Sequence, residues 1–531
     1  MGEVHFVKHP MSLYYDIPNS NLRNYLKRQE SGNTAIYETK FAEGQSISDL
    51  LGEWERHLQV LSSDWPSLLE YELDMMHKVG PLSYQRPLKE RIPDLTAYYS
   101  LARDSKAVPD EAVEALLSAW PNLRNLRMRG QKQTLERMKL STNSGAPYFT
   151  VKRRVVESLL PYSLEFDGDR TWIQHLPNWD GRLTATLGWR GQEGGPTVDD
   201  VKQRVLFMFP FVANLEELRV YQVLIEQCQK YGYVPPWLGN EATDAAITRL
   251  FATKDPKDLI VCTDFSKFDQ HFGPAMQQAA LRVLEGVFTH DAQFTEWVEK
   301  VYPIKYKIPL NYNWEWFATG EHGMGSGSGG TNGDETCGHK VLQYGVARAH
   351  GAGLNPNSMA LGDDGVLSYP GITVADVVAY YTQFGLEMNP SKQYAKTDEC
   401  IYLRRWHHKD YIVNGVNVGV YPTMRALGRL RYMERRFNTK GPVKKLFAMR
   451  QLSILNNCQY HPLGREFVKF CLSKDKYRLG YDIPGFFDRL DREYREAEAR
   501  EELQSSYSNT FGNPSPPSEW WITKVIKELC A

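Results

Sequence analysis

Ser358-Met359-Ala360-Leu361-Gly362-Asp363-Asp364-Gly365-Val366-Leu367-Ser368-Tyr369 reads as an apolar run, a Gly-Asp-Asp-Gly turn and a second apolar run. That order predicts a β-hairpin with two carboxylates at its tip, Gly365 supplying the positive φ of the turn. A plain surface turn would account for as much. Adjacent carboxylates repel unless a cation lies between them, so a functional reading requires a third acidic ligand elsewhere.

Asp258-Leu259-Ile260-Val261-Cys262-Thr263-Asp264-Phe265-Ser266-Lys267-Phe268-Asp269 offers it. The run from Leu259 to Cys262 suits a buried strand, with Asp264 at its end and Asp269 a turn further on, where the chain bends into a helix. Either aspartate alone would serve as a helix cap. With Asp363 and Asp364 they suit two divalent ions, Mg²⁺ or Mn²⁺, in a hard oxygen cage that clamps an in-line displacement at phosphorus.

A chain of 531 residues exceeds one ordinary core, which predicts several subdomains around one cleft. Hydrophobic content of 42% and charged content of 24% are those of a globular protein, and no apolar run reaches membrane-spanning length. No membrane anchor is expected: the first residues lack a signal-peptide core, Phe6 stands where a myristoylation signal has Ser or Thr, and Glu528-Leu529-Cys530-Ala531 is not a prenylation box. Seven cysteines without a Cys-x-x-Cys argue against a disulfide framework or a zinc site and suit a reducing compartment.

The net charge of −1 conceals segregation. One basic group spans Arg124, Arg127, Arg129, Lys132, Arg137, Lys139 and Lys152 to Arg154; another spans Arg404, Arg405, Lys409, Arg425, Arg429, Arg431, Arg435, Arg436, Lys440, Lys444 and Lys445. Such local fields guide a polyanion, although solvated helix faces produce the same pattern.

Along the chain, Ser46 caps a predicted helix to Leu61, and Pro109 to Lys139 reads as helical. Leu140 to Tyr148 then breaks the pattern; Ser144, Gly145 and Pro147 there form a loop able to approach a phosphate chain, or a mere connector. In Val201 to Pro210, Lys202 and Arg204 alternate onto one face of a strand, either as a clamp for a triphosphate or as the solvated side of an edge. Gly323 to Gly333 is a Gly/Ser loop before a helix predicted to reach Ala349. It formally contains Gly-x-Gly-x-x-Gly but lacks the strand before and the acid after that a dinucleotide fold requires. Cys400 to Trp406 reads as one short strand, Pro422 and Thr423 open a helix with Arg425 and Arg429 on one face, and a charged helix follows near Asp491 to Glu502, both helices partly solvated. Ser505 to Ser518 is linker-like, and Trp520 to Ile526 suits a short amphipathic helix that either covers its neighbours or reaches back to the cleft with a tryptophan.

The order of these segments resembles the viral RNA-dependent RNA polymerases, most closely those of the picobirnaviruses, with partitivirus polymerases next. The resemblance implies an α+β fold of the right-hand architecture, with fingers, a palm built on an antiparallel sheet, and a helical thumb. It also implies template-directed RNA synthesis. By that resemblance Asp264, Asp363 and Asp364 carry the metals, and Lys392 protonates the leaving pyrophosphate, with Lys396 close enough to compete. Lys202 and Arg204 bind nucleotide phosphates. Asp269 reads the ribose 2′-hydroxyl, helped by Ser326, Thr331 and Asn332. Ser144, Gly145, Pro147, Gly327, Tyr402 and Arg404 contact template or primer RNA. One departure stands out: many relatives place Asn four positions after the motif's Thr, where this chain has Glu335.

The resemblance further implies a layout: residues 1–85 as an extension bridging fingers and thumb, 86–256 as fingers, and 257–299 as palm. Residues 300–322 form a fingers insertion, 323–410 the rest of the palm, 411–504 the thumb and 505–531 a linker and tail. Its implied partners are template and product RNA, nucleoside triphosphates and a viral capsid protein. Its implied setting is the virion interior and host cytoplasm, in a virus with a double-stranded RNA genome. A reverse transcriptase is the nearer rival, weakened by Asp269 and Gly362; a non-catalytic RNA-binding protein is the more distant one.

Overall fold

The structure, a computed structural model, describes residues 4–8, 20–167, 171–437, 443–499, 503 and 515–531. Its centre is a four-stranded antiparallel sheet in the order Met359–Leu361, Asp364–Leu367, Ile260–Thr263, Tyr394–Lys396. Ile260–Thr263 is buried along its whole length because both faces are covered. Alternation sends Val261 and Leu367 into the largest apolar core and Ile260, Cys262 and Val366 into a smaller one on the other face. The helices Pro274–Val287 and Thr331–Ala349 pack together in the larger core.

A second sheet runs His5–Lys8, Trp316–Thr319, Leu310–Asn311, Ala185–Gln192, Lys202–Met208, so the start of the chain adds an edge strand to a sheet built far downstream. A second large core joins the helices Ile47–Leu58 and Pro66–His77 to Thr423–Arg431, Val443–Asn456, Gly464–Lys474, Leu490–Ala499 and Trp521–Cys530. The N-terminal region therefore packs against both the second sheet and the C-terminal helices. Ser46 does cap its helix, its hydroxyl accepting from the Asp49 N–H at 3.0 Å. All seven cysteines are free. Among the described residues no helix is long and apolar enough to cross a membrane.

Several expectations need correction. The hairpin pairs Leu361 with Asp364, leaving Gly362 and Asp363 as its two-residue loop, so Gly362 and not Gly365 takes the positive φ, 59°. Gly365 lies within the strand for a steric reason: a Cβ there would stand 2.4 Å from His339 Cε1 and 2.5 Å from Thr263 Oγ1. Cys400 to Trp406 is not one strand but a hairpin, Glu399–Tyr402 with Arg405–His408, turning through Leu403 and Arg404 at φ of 50° and 62°. Residues 109–139 form two helices, Asp110–Ala119 and Gln131–Glu136, separated where Pro121 and left-handed Asn125 interrupt the pattern.

The helix Thr423–Arg431 is mostly buried rather than solvated: Met424, Ala426, Leu427 and Leu430 pack into the second large core, and Arg425 and Arg429 both engage Glu193. Much of the second basic group is likewise committed internally, Arg405 to Asp244, Arg431 to Glu38 and Lys445 to Glu493; Lys440 lies outside the described residues. The tail helix Trp521–Cys530 buries Ile522, Val525 and Ile526 among the C-terminal helices. Trp520 meets Tyr494 edge-on and Trp521 lies against Gly464, so both tryptophans are used in covering that core. Most of the linker before them lies outside the described residues.

Candidate active site

The register Gly365 to Thr263, continued by one residue, brings Asp364 opposite Asp264 at the end of the central strands, with Asp363 exposed in the loop beside them. Burial, reinforced by Asp363, pushes the Asp364 carboxyl up to about 7, while Arg404 and Arg204 pull it down. Burial also raises Asp264, opposed by Lys392, Lys202 and Lys78 and reinforced by Asp363. Mutual repulsion among hard oxygen donors is what a divalent cation relieves, so these residues fit such ions. Among the described residues no three acidic, His or Cys side chains already stand together as a finished metal cluster.

The hairpin loop is held from beneath by the helix Thr331–Ala349. Thr336 Oγ1 accepts the Gly362 N–H at 3.0 Å, and His339 Nδ1 donates to Gly362 O at 3.0 Å. Burial lowers His339 to about 4, so the ring is neutral and its Nε2 is free to accept from Thr263 Oγ1 at 3.3 Å. Gln343 Nε2 donates to Met359 O at 2.7 Å. On the other side Gln393 grips the peptide groups of Asp264, accepting its N–H at 2.9 Å and donating to its carbonyl at 2.8 Å. None of these residues was singled out from the sequence. Thr336, His339 and Gln343 lie on one helix at spacings of three and four, a polar stripe that became legible only once the helix proved buried.

Lys202 and Arg204 are exposed on the same side of Lys202–Met208, with Lys202 a charge neighbour of Asp264 and Arg204 of Asp364 and Asp269. Lys392 is exposed beside Asp264, whereas Lys396 pairs with Ile260 at the far end of the strand. Asp269 is half-buried beside Glu335 and Ser326, which pull its carboxyl down against the rise that burial and Asp363 give it. Burial, then Asp269, raises the Glu335 carboxyl well above the usual range, so the two acids side by side disfavour a second negative charge. Glu335 thus stands against the residue expected to read the ribose. Tyr402 is buried near Asp364, and Arg404 is exposed in its hairpin turn within reach of Asp364.

Of the other expected contacts, Ser144, Gly145 and Pro147 are packed inward, whereas Gly327 and Asn332 stay exposed and Thr331 is half-buried. Ser144 is buried, its hydroxyl accepting the Thr150 N–H at 3.1 Å, and a Cβ on Gly145 would lie 2.3 Å from Phe209 O. Pro147 is buried in the same loop. Gly327 has φ 145° and presses on Phe207 O, 1.9 Å from where a Cβ would be. Thr331 Oγ1 donates to Gly325 O at 3.4 Å, and Asn332 Oδ1 accepts from the Trp237 indole at 2.6 Å. The loop has a latch the sequence did not announce: buried Glu217 accepts from the Ser328 hydroxyl, and from the Gly329 N–H at 3.3 Å. Below it Asp334 accepts from Tyr221 at 2.5 Å and Tyr306 at 2.6 Å and pairs with fully buried Lys305 at 3.1 Å.

A sequence model of the viral RNA-dependent RNA polymerases matches residues 122–461. The chain belongs to that family. This polymerase is 49% identical over 526 residues to a potential RNA-dependent RNA polymerase of Human picobirnavirus (strain Human/Thailand/Hy005102/-), covering 97% of this chain and 98% of the relative. The crystal structure of the RNA-dependent RNA polymerase of a human picobirnavirus superposes with a TM-score of 0.91 at 46% identity, covering 98% of each chain, as does its insertion-loop deletion mutant. Sicinivirus 3Dpol, with a TM-score of 0.53 and 14% identity over 72% of this chain and 84% of its own, shares the fold alone. The polymerase is thus a nucleotidyltransferase that makes RNA on an RNA template, with the α+β right-hand fold.

Proposed function

We propose that this polymerase works by two-metal-ion nucleotidyl transfer and both transcribes and replicates a double-stranded RNA genome inside a virus particle. The observation that carries the mechanism is Asp264 facing Asp364 across adjoining strands with Asp363 in the loop between. Two divalent ions held by these carboxylates would supply Lewis-acid activation of the 3′-hydroxyl and neutralise charge building on the triphosphate. The chain's own residues do the rest. Lys202 and Arg204 bind the triphosphate from the exposed side of their strand. Asp269, flanked by Ser326 and Glu335, accepts the ribose 2′-hydroxyl, with Thr331 and Asn332 shaping the loop beside it. Lys392 Nζ donates a proton to the departing pyrophosphate.

Ser144, Gly145 and Pro147 shape the template entrance, Gly327 lets the Gly/Ser loop approach the template, and Tyr402 and Arg404 support the growing strand. The layout into fingers (86–256 and 300–322), palm (257–299 and 323–410), thumb (411–504), bridging extension (1–85) and tail (505–531) is supported by the shared cores and by the N-terminal strand in the second sheet. Kinship with the picobirnavirus polymerase supports the double-stranded genome, the capsid protein as a partner, and work in the virion interior and host cytoplasm. The test is primer-free synthesis with Mg²⁺ or Mn²⁺ on a single-stranded RNA and on its duplex. Full-length, metal-dependent copies from both fit the proposal; copying of only one of them, or synthesis that needs no metal, contradicts it.

A further inference from the structure

Glu193, in the loop that follows the strand Ala185–Gln192, is gripped by three arginines from other elements. Arg425 Nη1 donates to its Oε1, Arg429 Nη2 to its Oε2 at 2.8 Å, and Arg404 Nη1 lies 3.7 Å from Oε1. Three guanidinium groups against one carboxylate leave two positive charges over. A fourth arginine, Arg450, is close enough to act on Arg429 electrostatically. The neighbouring acids are committed elsewhere: Glu72 accepts from the Thr423 and Met424 N–H groups and His461, and Glu434 accepts the Gly191 N–H. Arg425 is more than nine-tenths buried, yet its Nε has no hydrogen-bond partner. Arg404 and Arg429 keep 44% and 29% of their side chains exposed, so the cluster opens to solvent on the side of Arg404, which is also a charge neighbour of Asp364.

We propose that Arg404, Arg425 and Arg429 form a binding site for a phosphodiester of the nascent RNA strand, and that Glu193 occupies it as an internal stand-in until RNA displaces it. A carboxylate and a phosphate present the same paired oxygens to an arginine fork, which makes the exchange chemically even. The loop carrying Glu193 is seated tightly, since a Cβ on Gly80 would stand 1.8 Å from Gly195 O, so displacement consists of the carboxylate leaving the arginines while its loop stays in place. The inference rests on the chain's RNA synthesis and predicts a resting state with weakened RNA binding.

The test is the affinity of the full-length protein for a labelled primer–template RNA across a series of KCl concentrations. Glu193→Gln is expected to tighten binding about fivefold and steepen the salt dependence by about one unit of log–log slope, the signature of one added phosphate contact. Asp199→Asn, an equal charge change at an exposed position in the same connection, is expected to change affinity less than about twofold. Adding Arg404→Gln and Arg429→Gln to Glu193→Gln should remove the gain. The proposal is overturned if Glu193→Gln leaves binding unchanged or weaker, if Asp199→Asn matches it, or if the gain survives without the arginines. A labelled nucleoside triphosphate whose binding tightens while RNA binding does not would assign the site to the triphosphate and likewise overturn it.

Discussion

Gln393 holds Asp264 by both of its peptide groups, at 2.9 and 2.8 Å, so the strand end that presents the carboxylate is set by a side chain that never touches the carboxylate itself. Gln393 Nε2 also donates to Asn389 O at 2.9 Å, tying that grip to the turn bearing Lys392.

Replacing Gln393 with Ala should therefore lower single-turnover incorporation about 10- to 100-fold, as loss of a supporting contact at a metal site does, with little change in the thermal midpoint. Stopped-flow or quench-flow measurement should place the loss in the rate rather than in nucleotide KM. A change in KM alone would mean that Gln393 supports the nucleotide and not Asp264.

Gly365→Ala should destabilise the Gly-Asp-Asp hairpin. Its Cβ would meet buried His339 and Thr263, which the sheet and the helix Thr331–Ala349 hold in place. Overpacking of this kind costs about 1–3 kcal/mol and displaces Asp364, so urea unfolding should shift and activity should fall together. Gly362→Asn, which tolerates a positive φ, should be milder.

Asp334→Asn should cost about 3–5 kcal/mol, because it leaves the Lys305 ammonium fully buried without its counter-charge. The rings of Tyr302 and Tyr306, 3.7 and 4.9 Å from Nζ, soften that loss but do not neutralise the charge. Chemical denaturation of the two proteins at one pH measures it.

Glu217 gives a pH signature. Burial pushes its carboxyl up to about 7, Lys305 and the Ser328 bond pulling the other way. A folded-state value above the unfolded one means that the folded chain holds an extra proton between about 4.5 and 7. Stability contributed by that proton is full below the unfolded value and is lost as pH rises through the folded one. Glu217→Gln keeps the acceptor for Ser328 and Gly329 without titrating. Its stability relative to the native chain should rise by up to about 3 kcal/mol between pH 4.5 and pH 7 and then level off. A difference independent of pH would contradict the shift.

The acids were legible because strand ends and a Gly-Asp-Asp loop leave local signals: Asp264, Asp363 and Asp364 stand where the alternating apolar runs stop. What fixes them was not. Thr336, His339 and Gln343 look like the solvated side of a helix until the sheet covers them, and Gln393 gains its meaning from Asp264, 129 positions away in the chain, a separation no local pattern carries. Leu403 and Arg404 turn a hairpin without Gly or Asn, so residue preference pointed to a continuous strand and tertiary pairing overrode it. Arg425 and Arg429 were visible as one helix face, but only the folded chain brings Glu193 to them.

In the proposed mechanism Asp264, Asp363 and Asp364 together form the catalytic metal site. The most direct test is single-nucleotide incorporation on a primer–template RNA, titrated with Mg²⁺, for the native chain and for Asp264→Asn, Asp363→Asn and Asp364→Asn, each checked for folding by circular dichroism. Loss of incorporation by several orders of magnitude in Asp264→Asn and Asp363→Asn, with Asp364→Asn needing more Mg²⁺, is the predicted result. Folded variants that incorporate nucleotide at the native rate and Mg²⁺ requirement would contradict it.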